Sequence, residues 1–75
     1  MDEKMKEQLM RIDRKWALKE LESAYRALER ALSHIVVLSE AYKVQGHDQH
    51  GEYLNKVAEL VYHVEQLLLD FRSFM

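Results

Sequence analysis

Seventy-five residues, 48% hydrophobic and 32% charged with a net charge of −2, leave room for one small domain. The absence of cysteine excludes a disulfide framework, a thiolate metal site and a cysteine nucleophile. No apolar run is long enough to span a bilayer, and the opening Met1-Asp2-Glu3-Lys4 lacks the apolar stretch of a secretory signal, so a cytoplasmic protein is expected.

With no proline and only two glycines, little interrupts helical periodicity, and the expected class is all-α. In the first segment Met5, Leu9, Ile12 and Trp16 recur at spacings of four, three and four, a helical stripe. On a wheel at about 100° per residue it lies roughly opposite the stripe that follows. Two readings account for the switch. A first helix running from about 2 to 45 could turn its opening turns towards a different partner. Alternatively the chain breaks near Asp13, whose carboxylate would cap a new helix at Arg14. The continuous helix is taken first, since neither Gly nor Pro lies near residue 13.

From there to the turn, Leu21, Leu28, Ile35 and Tyr42 form the centre of an apolar stripe. Ala17, Ala24, Ala31 and Leu38 flank it on one side, and Leu18, Tyr25 and Leu32 on the other. The alanine flank suits close approach of a neighbour, and the leucine and tyrosine flank needs a deeper groove.

Gly46 reads as a helix stop and positions 46–51 as a polar turn, short enough to join antiparallel helices. The next helix is predicted over about 52–74. Tyr53, Val57, Leu60, Val64, Leu67, Phe71 and Phe74 alternate in fours and threes along it, beside a second row of Leu54, Val61, Leu68 and Met75. One row serves one partner, whereas two rows can touch two helices. An antiparallel hairpin that dimerises into a four-helix bundle is therefore expected. Leu21, Leu28, Ile35, Val57, Leu60, Val64, Leu67 and Phe71 are the residues expected to carry self-assembly. At 1.5 Å per residue the first helix would be about 66 Å long and the second about 35 Å, an overhang of roughly 30 Å. That overhang carries Met5, Leu9, Ile12 and Trp16, which are the candidates for an external protein partner, unless the segment folds back or completes the protein's own assembly and buries them there.

Chemistry is sparse. His47 and His50, with Asp48 and Glu52, offer metal-ligand atoms in the turn, but their spacing fits no defined site, and no metal or other cofactor is expected. His34 and His63 fall level across a hairpin centred on the turn, which makes them a candidate pair. The serines lack a glycine-flanked nucleophile turn, Glu20 with Glu22 and Glu59 with Glu65 lack the three- or four-residue spacing that pairs carboxylates on one helix face, and no glycine-rich phosphate loop exists, so an enzyme is not expected. Charge is unevenly spread: residues 1–19 hold six basic and four acidic side chains, the remainder five and nine. Lys4, Arg11, Lys15, Lys19, Arg26 and Arg30 share about a third of the wheel, broken by Glu22 and Glu29. The reading that follows is a non-enzymatic protein–protein interaction module, an adaptor, chaperone or inhibitor. The alternative is a small nucleic-acid-binding regulator using Arg11, Arg14, Lys15 and Lys19. No motif ties the chain to a particular family.

Overall fold

The computed structural model describes residues 2–4, 6 and 13–75. Two long helices pack together among the described residues: α1, Arg14–Val44, of 31 residues, and α2, Asp48–Ser73, of 26. They pack against each other as an antiparallel hairpin, and the described residues form no strand.

The expected continuous helix from about 2 to 45 is corrected at Asp13. That residue is extended, at φ −105° and ψ 161°, and its carboxylate accepts a 2.7 Å hydrogen bond from the Trp16 amide. An N-cap of this kind satisfies one of the amides that a starting helix leaves without a partner. A charged cap thus breaks the chain where no Gly or Pro does. The lengths change accordingly. At 1.5 Å per residue α1 is about 46 Å long and α2 about 39 Å, so the two nearly match and the roughly 30 Å overhang of a single helix disappears.

Gly46 ends α1 as its sequence context predicts. It adopts φ 84°, the left-handed conformation that glycine tolerates best. The His47 amide donates to the Tyr42 carbonyl at 2.8 Å, and the Gly46 amide to the Lys43 carbonyl at 3.0 Å. These two bonds form a Schellman cap. The turn is shorter than 46–51 because α2 already begins at Asp48, which puts a carboxylate in its first turn, favourable to the helix dipole.

Gly51 therefore lies inside α2 rather than in the turn, and packing accounts for it. A Cβ there would come within 2.5 Å of Lys43 Cγ and 3.0 Å of the Ser39 carbonyl oxygen. Only a residue without a side chain lets the helices come so close. At the same level the Ser39 hydroxyl, wholly buried, lies 2.8 Å from the Gly51 carbonyl and 2.7 Å from Asn55 Oδ1. The hydroxyl has a single proton to donate. With the Asn55 amide turned about its bond, Asn55 donates to Ser39, and Ser39 donates to Gly51. This contact fixes the register of the two helices.

Alanine favours helix over glycine by about 1 kcal/mol, so an exposed Gly51 would gain from the exchange. Overpacking of a tight contact costs about 1–3 kcal/mol. Gly51→Ala is expected to lower thermal stability despite its better helix propensity. A raised melting temperature would show that the close approach is not under strain.

Candidate interaction surface

Which residues close the hairpin follows from burial. On α1 the inward row is Leu18, Leu21, Tyr25, Leu28, Leu32, Ile35, Ser39 and Tyr42; Ser39 is buried and the others are half-buried. On α2 the matching row interleaves buried Gly51, Ala58 and Glu65 with half-buried Leu54, Val61 and Leu68. Both alternate in threes and fours, the period of straight helix pairs. The row of α2 that closes the hairpin is thus the second of the two in its sequence.

The first row is left outside. Tyr53 is 70% exposed, Leu60 66% and Phe74 73%; Val64, Leu67 and Phe71 are exposed as well, and only Val57 is half-buried. This row lies about 110° round α2 from the inward row. Phe71 and Phe74 stack edge to face with ring centroids 5.3 Å apart, a ready-made aromatic knob at one end of the face. At the other end lies a hollow of about 430 Å³ lined by Leu38, Tyr42, Gln49, His50, Tyr53 and Leu54. The Tyr42 and His50 rings stand 5.3 Å apart there, with His47 5.7 Å from His50. That hollow contains residues of both helices. It therefore places the alanine flank of α1, with Leu38, on the same side of the hairpin as the exposed row of α2.

The opposite side is more polar. A groove of about 390 Å³ is lined there by Glu22, Arg26, Glu29 and Arg72 together with leucines and Tyr25. Arg26 pairs with Glu22 at 2.6 Å, one turn along the same helix. The Tyr25 phenol is pushed above its usual value, first by loss of hydration and then by the negative Glu29 and Glu65 and by Tyr62. Glu65 itself is 3% exposed at the centre of the helix contact, and its Oε1 has no hydrogen-bond partner among the described residues.

The residues expected to carry self-assembly divide into two groups. Leu21, Leu28 and Ile35 belong to the internal contact of the hairpin. Val57, Leu60, Val64, Leu67 and Phe71 form its outer face. Of the row assigned to an external partner, Trp16 is half-buried in the first turn of α1, while Met5, Leu9 and Ile12 lie outside the described residues. Arg14, Lys15 and Lys19 are exposed at the start of α1, and Arg11 lies outside the described residues.

The two histidines expected level with each other are not. Ser39 meets Gly51 and Asn55, so His34, five residues earlier, is level with the segment around Ala58 instead of His63. The offset arises because α2 starts closer to Gly46 than a six-residue turn would allow. In the turn His47 and His50 are neighbours, but the described residues bring no three potential ligands together as a metal site. No helix among them is long and apolar enough to cross a membrane.

Comparison with known protein families, with curated proteins and with solved structures finds no match to this chain.

Two measurements test the division between inner and outer rows. Leu28→Ala is expected to cost about 1–3 kcal/mol at every protein concentration, the half-buried share of a core leucine. Leu67→Ala should cost less than about 0.5 kcal/mol at high dilution, with a penalty that grows as the protein is concentrated. Equal penalties at both sites under dilution would mean that the outer row is covered within the single chain.

Glu65 is tested separately. A buried polar atom without a partner costs about 1–3 kcal/mol. Glu65→Leu should therefore stabilise the hairpin by an amount of that order, read as a shift in the denaturant midpoint. A destabilised variant would show that the carboxylate is satisfied in solution.

Proposed function

We propose that this chain is a non-enzymatic protein–protein interaction module whose hairpin is one half of a self-assembled helical bundle. The observation that carries the reading is the exposed row of α2. It contains Tyr53, Leu60, Val64, Leu67, Phe71 and Phe74 on a helix whose other apolar row is already used. Monomeric proteins rarely leave a contiguous apolar face of this length in water.

The basic row of α1 supports nucleic-acid binding less well, because Glu22 already holds Arg26 and the chain as a whole is acidic.

Light scattering over a hundredfold dilution should give the mass of a dimer at the concentrated end. The melting temperature should rise with concentration, because association stabilises only the folded state. A single-chain mass throughout, with a concentration-independent melt, would refute self-assembly.

A further inference from the structure

We propose that two copies of this chain pack α2 against α2 in antiparallel register with His63 on the two-fold axis, each Phe71–Phe74 knob entering the turn-end hollow of the other copy. This rests on the self-assembly reading and specifies its geometry. Three features of the outer face share one centre.

The first is the apolar row. In an antiparallel pair, rows that alternate in fours and threes interlock level by level. Centred near His63, the register sets Tyr53 against the partner's Phe71, Val57 against the partner's Leu67, and Leu60 against the partner's Val64. By symmetry each pair occurs twice, so the whole row is covered. Sliding by one heptad in either direction leaves Tyr53 or the two phenylalanines in water.

The second is charge. Lys56, His63 and Asp70 run at seven-residue spacing along one rim of that row, all exposed. An antiparallel pair centred on His63 brings Lys56 to the partner's Asp70, and Asp70 to the partner's Lys56. In a parallel pair the same rim would face the partner's apolar Leu54, Val61 and Leu68 side instead, and neither Lys56 nor Asp70 would meet an opposite charge.

The third is shape. The same register places the partner's Phe74 level with His50, and the partner's Phe71 level with Tyr53, both of which line the hollow beside Tyr42. Knob and hollow lie at opposite ends of the face, so an antiparallel pair mates both ends at once. A surface whose charge, shape and apolar row are all self-complementary about one axis is what an isologous dimer requires.

The absence of cysteine makes the test direct. Single cysteines are placed at exposed rim positions and treated with a short bis-maleimide. His63→Cys is expected to cross-link to itself. Lys56→Cys is expected to cross-link only when mixed with Asp70→Cys, because two copies of residue 56 would lie about 21 Å apart along the axis. Lys56→Asp and Asp70→Lys should each raise the dimer dissociation constant about tenfold, and the double variant should return it to near its starting value.

Self-cross-linking at 56 and at 70 would overturn the register in favour of a parallel pair. A dimeric mass with no cross-link at 63 would overturn it in favour of α2 on the partner's α1. A single-chain mass at all concentrations would instead refute the self-assembly on which the register rests.

Discussion

A helix with two apolar rows about 110° apart cannot satisfy both with one neighbour, and that constraint governs this molecule. The hairpin is one layer of two helices, so each can turn one row inward and must leave the other outside. In a square four-helix arrangement every helix has two neighbours at roughly that angle. A single hairpin supplies one of them. The geometry of α2 thus suits a bundle helix, and the single chain supplies one neighbour for it.

Which row turns inward is decided by size rather than by hydrophobicity. The outer row holds the larger side chains, with two phenylalanines, a tyrosine and two leucines. The inner row holds Gly51 and Ala58, and Ser39 faces them from α1. Small residues let the helix backbones approach until Ser39 reaches the Gly51 carbonyl, a contact that bulkier rows would prevent. Side-chain hydrogen bonds there also fix the register, which an alternation of leucine and valine alone leaves free to slip by a heptad. The cost is a thin core, in which Ala58 is the one buried apolar side chain among the described residues.

This explains what could be read from the sequence and what could not. The hairpin was legible because Gly46 is the sole residue suited to a left-handed helix end between two uninterrupted periodic runs. That α2 carries two rows was legible too. Their roles were not, because rows of equal period look alike, and the row richer in aromatic residues looks more like a core. The signal that separates them is the heptad of small residues, Gly51 and Ala58, in phase with Leu54 and Val61. Asp13 was legible as a capping residue, but no propensity argument decides between a cap and a helix interior when breakers are absent. The cap prevails because the stripe containing Ile12 and the stripe containing Leu21 face different sides of the wheel.

Glu65 shows how the two contacts of α2 divide their tasks. It stands in the inner row between Ala58 and Arg72 at heptad spacing, where an apolar side chain would add stability to the isolated hairpin. Its carboxylate acts on the Tyr25 phenol across the helix contact, away from the turn that sets the register, so register alone does not account for it. A carboxylate left without a partner there would weaken the hairpin as a self-sufficient fold, while the outer row keeps its full apolar surface. If a second copy covers the outer row, as proposed, association adds stability that the thin core of the hairpin does not supply by itself. Under the proposed pairing the folded hairpin would gain stability with concentration, and a surface charge such as Lys56 or Asp70 would acquire influence over the stability of helices it does not touch.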